Sequence, residues 1–362
     1  MKRLILLGGG HAHVHVLKVL AQEPLPSAQV TLVSPFPRLI YSGMVPGLVA
    51  GHYTTGDCVI ALTALANRAK VQFIQGTATA LDAKARTVRL ANGQALHYDA
   101  LSIDTGPVMD RHAIPGAEVH GLFVRPIEEF MLLWDELFAL TQQQILSVVV
   151  VGGGAAGVEL AMSLQYRLGE RARVSLVTGG PPPLPSHPAR VQARALRALK
   201  RGGVTVLEDA CTEIAANHVQ LGRGMRLECD AAVLAVGAGA PAWLLGSGLA
   251  LDALGFVSTG ATLQSTSHPE VFAAGDVATN PTRPAPKSGV YAVRAGPPLA
   301  LNLRRFIAAG QLLSYRPQQR SLNLLACGER RAIASWGPWS AEGRWVWWWK
   351  NRIDRAFVDG YR

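Results

Sequence analysis

Residues 148–159 read VVVVGGGAAGVE, an apolar run that ends in a G-x-G-x-x-G fingerprint and opens an apolar, helix-like segment. Such a run is typical of a strand that is buried on both faces and leads into a crossover helix. The glycines permit a tight turn, close approach of a pyrophosphate and close helix–strand packing. The pattern therefore predicts a dinucleotide on Gly152, Gly154 and Gly157, with a tight turn that binds nothing as the alternative.

A second copy of this pattern begins the chain. Residues 4–13 read LILLGGGHAH, and a further apolar run follows each copy, at 30–33 and at 174–177. Downstream, an aspartate precedes a glycine by seven residues in both YDALSIDTGP (98–107) and CDAAVLAVGA (229–238). We interpret this as two dinucleotide-binding units, each closed by a later strand that ends in glycine, in preference to a chance similarity.

Clusters of proline and glycine suggest where these units meet. The sequence predicts an α/β fold with two Rossmann-like domains, the second inserted in the first. The first domain is expected to comprise 1–107 and 258–312, and the second 108–257. A C-terminal segment, 313–362, differs in composition because it holds nine of the 35 Lys and Arg residues and six of the eight tryptophans.

Composition excludes several classes of protein. The 362 residues are 49% hydrophobic and 17% charged, which rules out intrinsic disorder. The four cysteines form no CxxC pair, so a disulfide scaffold, a zinc ribbon and a dithiol redox centre are disfavoured. No segment resembles a transmembrane helix or a signal peptide, so a cytoplasmic location is expected. The net charge of +10 accompanies no nucleic-acid-binding motif.

The N-terminal copy departs from the fingerprint. His13 stands where the third glycine belongs, so looser packing of helix and strand is expected there. The alternation of His11, His13 and His15 would suggest a metal site on a strand, but at a helix start these side chains point apart, and no metal is predicted. The second strands end in Ser34 and Thr178, neither of them acidic, so the choice between NADH and NADPH stays open.

A third motif, TSHPEVFAAGDV at 266–277, ends an apolar strand in Gly275 and then presents Asp276. A carboxylate at such a strand end can accept hydrogen bonds from the polyol hydroxyls of a ligand. The alternative is a turn aspartate that caps the next helix.

Taken in order, GGGHAH, IDTG, VVGGGAAGVE and FAAGD resemble the FAD/NAD(P) oxidoreductases with two dinucleotide folds, the pyridine nucleotide-disulfide oxidoreductase superfamily. This resemblance covers about 1–312. The chain looks most like type II NADH:quinone oxidoreductases, sulfide:quinone oxidoreductases and the flavoprotein module fused to selenide, water dikinase. The segments YSGMVPGLVAGHY, PKSGVYAVRAGP and KNRIDRAF extend the last similarity over nearly the whole chain.

The resemblance implies glutathione-reductase-like domains, with FAD in the first and NAD(P)H in the second. Ser34 and Arg38 would contact the ADP half of FAD, and Asp276 the ribitol. The residues implied at FAD are Gly8, Gly10, His11, Ser34, Arg38, Tyr41, Ser42, Pro46, Thr105, Gly106, Gly275 and Asp276. Those implied at the nicotinamide cofactor are Gly152, Gly154, Gly157 and Glu159.

Two activities of the superfamily are disfavoured. Disulfide reductases carry redox cysteines in the segment that corresponds to Tyr41–Pro46, which here reads YSGMVP. Sulfide:quinone oxidoreductases need a cysteine pair to carry sulfur, and this chain has none. Its cysteines are expected to be buried small apolar residues.

Two candidate catalytic residues, Lys287 and Glu159, are expected to shape the flavin environment. PKSG at 286–289 resembles the segment that brings a lysine or a helix end to the flavin in quinone-linked relatives. A cation there would stabilise the anionic reduced flavin, so Lys287→Met should lower its reduction potential. The alternative is a solvated loop lysine.

The chain continues from Trp345 as WVWWWKNRIDRAFVDGYR. Helical spacing predicts a face of Lys350, Asn351, Asp354 and Arg355. The opposite, apolar stripe would be formed by Trp345, Trp348, Trp349, Ile353, Ala356 and Phe357. Tryptophan flanked by Lys and Arg suits a membrane interface. A helix docked on its own FAD domain or on a second subunit of a homodimer is the alternative.

These features together predict an FAD-dependent NAD(P)H dehydrogenase that passes electrons to an acceptor, with a quinone expected. A redox step in selenium or sulfur metabolism and a non-catalytic NAD(P)H-sensing flavoprotein are the alternatives. The protein is expected in the cytoplasm, peripheral to the inner face of the membrane if the tryptophan stripe binds lipid.

Overall fold

The computed structural model describes all 362 residues. Its helices are α1 His11–Gln22, α2 Val45–Val49, α3 Thr55–Cys58, α4 Leu62–Arg68, α5 Ala117–His120, α6 Ile127–Leu140, α7 Ala155–Leu168, α8 Ala189–Arg201, α9 Gly289–Ile307 and α10 Arg344–Asp359. Its strands are β1 Lys2–Leu7, β2 Ala28–Ser34, β3 Arg38–Ile40, β4 Val59–Ala61, β5 Gln72–Gln75, β6 Ala78–Asp82, β7 Thr87–Leu90, β8 Ala95–His97, β9 Ala100–Ile103, β10 Val108–Met109, β11 Gly121–Phe123, β12 Leu146–Val151, β13 Ala172–Val177, β14 Thr205–Leu207, β15 Cys211–Ile214, β16 His218–Leu221, β17 Arg226–Glu228, β18 Ala231–Leu234, β19 Ala238–Gly239, β20 Val257–Ser258, β21 Val271–Ala273, β22 Ala278–Thr279, β23 Asn323–Cys327, β24 Glu329–Trp336 and β25 Trp339–Gly343.

Two parallel sheets of five strands form the centre of the molecule. The first has the order β21-β9-β1-β2-β5 and the second β11-β18-β12-β13-β14. In each sheet, the strand that precedes a glycine fingerprint lies in the middle, next to the strand that follows the crossover helix. On its other side lies the strand that closes the unit. The predicted α/β fold is confirmed, and the two copies share one strand order.

A three-stranded antiparallel sheet precedes the closing strand in each copy, β6-β7-β8 in the first and β15-β16-β17 in the second. The repeated aspartates make the same contact in both. Asp99 Oδ2 accepts a hydrogen bond of 2.7 Å from the N–H of Arg3, and Asp230 Oδ2 accepts one of 2.7 Å from the N–H of Ser147. The spacing seen in the sequence thus reflects a tie between the closing strand and the central strand.

The antiparallel pair β10–β19 joins the two units. The domain boundary at residue 257 stays a prediction, and the segment before it contacts the first unit. Leu244 and Leu249 lie in the same buried core as Leu7 and Leu101 of the first sheet. Residues after Gly239 therefore contribute to the core of the first unit.

Residues 313–362 form the antiparallel sheet β23-β24-β25 and helix α10. The sheet packs on helices α7 and α8 of the second unit, where Glu342 Oε1 accepts a 3.1 Å hydrogen bond from Arg201. Helix α10 reaches the first unit, where Lys350 Nζ donates a 2.7 Å hydrogen bond to the carbonyl of Gly43. The C-terminal segment therefore contacts both dinucleotide units.

Candidate dinucleotide-binding site

A cleft of about 470 Å³ opens at the carboxyl ends of the strands of the first sheet. Ligands of open α/β sheets bind in this kind of crevice, next to the point where the strand order reverses. The lining includes nine of the residues that the sequence assigned to FAD, which are Gly8, Gly10, His11, Ser34, Arg38, Ser42, Thr105, Gly106 and Asp276. The fold thus gathers side chains from separate segments of the chain around one cleft.

Glycine is required at two positions of the first fingerprint. Gly8 has a φ of +98°, and a Cβ on it would collide with the backbone of Asp104. A Cβ on Gly10 would collide with the carboxyl group of Asp104. Only glycine lets the end of β1 and the start of α1 approach the closing strand this closely.

Asp104 is buried at the start of helix α1. Its Oδ2 accepts hydrogen bonds from the N–H groups of Ala12 at 2.8 Å and His13 at 2.9 Å. Burial raises the pKa of Asp104 to about 7, although these hydrogen bonds oppose the shift. The equivalent residue of the second unit is Ala235, whose side chain cannot accept a hydrogen bond. Two N–H groups that a phosphate could otherwise reach are thus occupied in the first unit only.

His13 occupies the position of the third glycine. Its buried ring places Nδ1 2.6 Å from the carbonyl oxygen of Gly8 and Nε2 2.7 Å from the hydroxyl of Ser102. A neutral ring that donates from Nδ1 and accepts at Nε2 satisfies both partners. Burial lowers the pKa of His13 to about 4, which keeps the ring neutral. The ring of His13 lies between the end of β1 and strand β9, where it contacts both.

His11 has a buried Nε2 atom without a hydrogen-bond partner. Its ring centroid lies 5.6 Å from that of Tyr41 and 5.9 Å from that of Phe357. The start of α9 is adjacent, since a Cβ on Gly289 would lie 3.8 Å from Ser42 Oγ and 4.0 Å from His11 Nε2. An unpaired buried polar atom that borders a cleft can accept a hydrogen bond from a ligand or a water there, or donate one to it.

The alternating histidines do not converge on one point. His13 bonds within its own unit, His11 faces Tyr41, and His15 Nδ1 lies 3.4 Å from the hydroxyl of Tyr361. These separate partners follow from the helix geometry expected at the start of α1.

Arg125 lines the cleft, is half-buried and makes no ion pair or hydrogen bond with the protein. Burial and then the charge of Arg125 lower the pKa of His11 to about 4. Burial raises the pKa of Asp276, and the charges of Arg125 and Lys287 oppose this shift. The positive charge of Arg125 therefore acts on both His11 and Asp276.

Lys287, which the sequence predicts near the flavin, has protein acceptors in the structure. Its ammonium donates to the carbonyl of Ala278 at 2.5 Å and to Thr279 Oγ1 at 2.8 Å, and it lies 3.8 Å from the ring centroid of Phe256. It lines a smaller cavity of about 70 Å³ on another side of Asp276. Burial lowers the pKa of Lys287 to about 8. Protein acceptors thus hold the ammonium away from the cleft.

Three more residues that the sequence assigned to FAD lie outside the lining of the cleft. Tyr41 packs on Phe357 of helix α10, with ring centroids 4.4 Å apart. Pro46 is buried within helix α2, which packs on α7. Gly275 has a φ of +70° and approaches Asp104 so closely that a Cβ would lie 2.6 Å from its Oδ1.

The second fingerprint has the geometry that a pyrophosphate requires. Gly152 has a φ of +131°, and the Cα of Gly157 packs so tightly on the carbonyl of Gly152 that a Cβ would collide with it. A Cβ on Gly154 would meet no atom within 4 Å, so the approach to its backbone is open. Strand β13 is followed by Thr178 and Gly179, and neither supplies an acid to a ribose.

Glu159 lies on helix α7, two residues after Gly157, and its carboxylate contacts the C-terminal segment. Its Oε1 accepts a 2.7 Å hydrogen bond from the N–H of Ala326. Burial raises the pKa of Glu159 to about 7, and the charge of Lys350 opposes this shift. Lys350 Nζ is 2.7 Å from Asp354 Oδ2 and donates to the carbonyl of Gly43. A buried charged cluster thus connects helices α7 and α10 with the loop at Gly43.

All four cysteines are free. Burial raises the pKa of Cys58 and of Cys327 to about 12, and that of Cys211 and of Cys229 to about 11. None of them lines the cleft. The site therefore offers no thiolate for disulfide or sulfur chemistry.

Sequence reasoning missed three residues, Asp104, Arg125 and Lys350. Asp104 lies in the quoted IDTG motif, and a comparison with Ala235 at the equivalent position would have revealed it. Arg125 belongs to no local pattern. The sequence places Lys350 on the polar face of a helix, but its contact with Gly43 joins residues that are distant in the sequence.

The family model for pyridine nucleotide-disulphide oxidoreductases matches residues 2–296. The chain belongs to this family. Demethylphylloquinone reductase NdbB of Synechocystis is 28% identical over 287 residues, which cover 76% of this chain and 71% of that protein. The type II NADH:quinone oxidoreductase of Staphylococcus aureus is 23% identical over 338 residues, covering 84% and 83%.

Solved structures agree on the fold. NDH2 of Plasmodium falciparum in complex with NADH superposes with a TM-score of 0.83 at 15% identity, covering 99% of this chain and 97% of that chain. The sulfide:quinone oxidoreductase of Aquifex aeolicus gives a TM-score of 0.81 at 19% identity, covering 99% and 92%.

This family member is therefore an oxidoreductase, and the predicted cofactors, FAD and NAD(P)H, are those of its family. The residues of the first unit fit FAD on three observations. The glycines of the fingerprint line the cleft, His11 Nε2 is unpaired, and the half-buried guanidinium of Arg125 lacks an acceptor.

Proposed function

We propose that this oxidoreductase is an FAD-dependent NAD(P)H dehydrogenase that reduces a quinone. The observation that carries the proposal is the pair of glycine fingerprints at the carboxyl ends of two parallel sheets, one of which borders a 470 Å³ cleft. When bound, FAD accepts a hydride from NAD(P)H and passes the electrons to the acceptor. The chain binds and orients the cofactors, and no side-chain nucleophile is needed.

In the first unit, the backbone at Gly8 and Gly10 would carry the pyrophosphate, with Ser34 and Arg38 beside the adenosine. Asp276 would accept hydrogen bonds from the ribitol. The remaining contacts would come from the other lining residues that the sequence named, which are His11, Ser42, Thr105 and Gly106. Tyr41, Pro46 and Gly275 would support these contacts by packing.

In the second unit, Gly152, Gly154 and Gly157 would hold the pyrophosphate of the nicotinamide cofactor. Open space at Gly154 supports this assignment. The names of the relatives, a demethylphylloquinone reductase and an NADH:quinone oxidoreductase, support a quinone as the acceptor.

Glu159 would act as a positioning residue through Lys350, whose ammonium holds the loop at Gly43. Glu159→Gln keeps the size of the side chain but removes its charge. We expect the KM for the quinone to rise while the KM for NAD(P)H changes little, because the loop borders the flavin unit. Steady-state kinetics with each substrate varied in turn measures this difference, and an equal rise in both would contradict it.

Helix α10 supports attachment to a membrane surface. Trp345 is 54% exposed and Trp348 is 59% exposed, while Lys350 and Asp354 on the opposite face are buried. Of the predicted stripe, Phe357 instead turns inward onto Tyr41. Exposed indoles beside arginine side chains suit the headgroup region of an anionic bilayer. No helix of the chain is both long and apolar enough to cross a bilayer.

Flotation with vesicles that contain anionic phospholipid tests this attachment. The wild type is expected to float, and a Trp345→Ser/Trp348→Ser variant to remain at the bottom. Met225→Ser is a matched control, because it also removes an exposed apolar side chain, 52% exposed, but in the second unit. Equal flotation of all three proteins would contradict attachment through α10.

Anaerobic mixing of the FAD-loaded protein with NADH or NADPH, followed by a quinone, tests the activity. Fast bleaching of the flavin and fast reoxidation by the quinone are expected. Slow bleaching with a long-wavelength absorption band would indicate an NAD(P)H sensor. Bleaching without reoxidation by the quinone would indicate another acceptor, as in selenium or sulfur metabolism.

A further inference from the structure

Carboxylates and three arginines line the cleft. Asp104 and Asp276 are carboxylates without an ion pair, and both line the cleft. Among the arginines, Arg111 is paired with Glu129 at 3.3 Å and packs 4.8 Å from the ring centroid of Phe123. Arg111 is therefore held by the protein itself.

Arg125 differs from Arg111 because no protein group accepts from its guanidinium. It follows strand β11 at the junction of the two units and borders the cleft near His11 and Asp276. A guanidinium carries five N–H donors, and partial burial without acceptors costs free energy. Such a group is typical of a site where an anion binds, since a planar fork of donors matches phosphate or carboxylate-like oxygens.

We propose that Arg125 binds FAD and supplies the positive charge opposite an anionic part of this cofactor. The proposal rests on the FAD site described above and adds a residue to it. FAD presents two such parts, the pyrophosphate at all times and the N1–C2=O edge of the ring after two-electron reduction.

The first unit has a particular need for this charge. The carboxylate of Asp104 occupies two N–H groups at the start of α1, and Gly10 N–H donates to the backbone carbonyl of Asp104 at 3.1 Å. A bound dinucleotide therefore meets fewer free donors, and a nearby negative charge, at this helix end than at the start of α7. Arg125 lines the same cleft and supplies a positive charge that offsets this deficit.

Three variants test the proposal. Arg125→Gln removes the charge, Arg125→Lys keeps it without the planar fork, and Lys287→Met removes the other cation that acts on Asp276. For each, we would measure binding of ADP and of FAD to the apoprotein by calorimetry. The midpoint potential of bound FAD would be measured by dithionite titration with redox dyes.

If Arg125 contacts the pyrophosphate, Arg125→Gln weakens the binding of both ADP and FAD by about tenfold or more and leaves the midpoint potential of bound FAD unchanged. Contact with the reduced ring predicts a lower potential at unchanged ADP affinity. Either result supports the proposal, provided that the affinity or potential of Arg125→Lys lies between those of Arg125→Gln and the wild type. The proposal would be overturned if Arg125→Gln had the same affinities for ADP and FAD and the same midpoint potential as the wild type. It would also be overturned if Lys287→Met lowered the midpoint potential as much as Arg125→Gln does.

A measurement on the wild type covers the case in which Arg125→Gln does not fold. Phenylglyoxal modifies accessible arginines, and peptide mass spectrometry locates the product. FAD is expected to protect Arg125 from modification and to leave the distant Arg190 of α8 unprotected. Equal modification of Arg125 with and without FAD would overturn the proposal, whereas a protein that binds no FAD at all would instead contradict the proposed function.

Discussion

In the second unit, Gly157 lies directly against the carbonyl of Gly152, whereas in the first unit the ring of His13 donates a hydrogen bond to the equivalent carbonyl of Gly8. Both arrangements satisfy the same backbone geometry, one by close packing and the other by a buried side chain. The third glycine of the fingerprint is therefore replaceable when the new side chain both fills the space and satisfies the exposed polar group.

The two units also differ in charge. Asp104 places a carboxylate at the start of α1, and Ala235 places none at the start of α7. The N-terminus of a helix attracts anions. In the first unit, the carboxylate of Asp104 already binds part of this helix end, whereas the start of α7 in the second unit remains free to attract a pyrophosphate. One strand order thus supports two binding sites of unlike electrostatics.

The largest expected effect comes from Gly157→Ala. Its Cβ would overlap the carbonyl of Gly152, so helix α7 must shift away from β12. We expect the KM for NAD(P)H to rise by about tenfold or more with the FAD content unchanged. Gly202→Ala is the control, because its Cβ would make only ordinary contacts of 3.4 Å and longer. Similar kinetics of both variants would show that the close contact is not required.

His13→Ala should destabilise the first unit by about 2–4 kcal/mol, because it leaves a cavity and two unpaired partners, the carbonyl of Gly8 and the hydroxyl of Ser102. Urea unfolding of the apoprotein measures the change. The pKa of His13 is about 4 in the fold and lies near 6.5 in the unfolded chain, so unfolding takes up a proton between these values. Wild-type stability should therefore fall from pH 6.5 to pH 4 more steeply than that of the variant, and equal slopes would contradict a buried neutral ring.

Asp104 should affect the pH dependence of the free energy of unfolding in the opposite sense to His13, and Asp104→Asn tests this. Burial raises the pKa of Asp104 to about 7, above its unfolded value near 3.8, so the folded state holds an extra proton between these values. The wild type is therefore expected to lose stability as the pH rises from 4 to 7, and the variant to lack this component. Free energies of unfolding at pH 5 and pH 8 test the difference.

The smallest effects should come from the repeated aspartates. Asp99→Ala and Asp230→Ala each remove the hydrogen bond to a backbone N–H near the start of a central strand, at a cost of about 1 kcal/mol. Asp99→Ala also removes an exposed 3.4 Å ion pair with the guanidinium of Arg3, which contributes little. Because the contact has the same length in both units, the two costs should agree. Urea denaturation measures the loss in the free energy of unfolding for each variant. Clearly unequal losses would show that the repeated aspartates do not stabilise the two units equally.

The repeat could be predicted because its determinants are local. Apolar runs, glycines and the Asp-to-Gly spacing each describe one segment, and both parallel sheets follow from them. The packing of Leu244 and Leu249 on the first sheet could not be predicted, because these leucines contact residues that are distant in the sequence. The hydrogen bonds of Lys287 to Ala278 and Thr279 could not be predicted either, because they depend on how the loop folds.

Helix α10 presented the hardest case for prediction. Its periodicity is compatible with burial of either face, and burial of an isolated Lys350 or Asp354 would be costly. The pair is buried together, and the carbonyl of Gly43 completes the coordination of the ammonium. The i,i+4 pair and its long-range contact with Gly43 together allow the polar face of α10 to be buried.

The contact between α10 and the first unit has a consequence for the biogenesis of the protein. Lys350 follows Gly43 by 307 residues, so the ribosome releases the flavin unit's loop long before the helix that packs on it. During this interval the ring of Tyr41 lacks Phe357, and the carbonyl of Gly43 lacks the ammonium that it accepts from in the complete protein. These contacts of the flavin unit form only after the last residues of the chain have been synthesised.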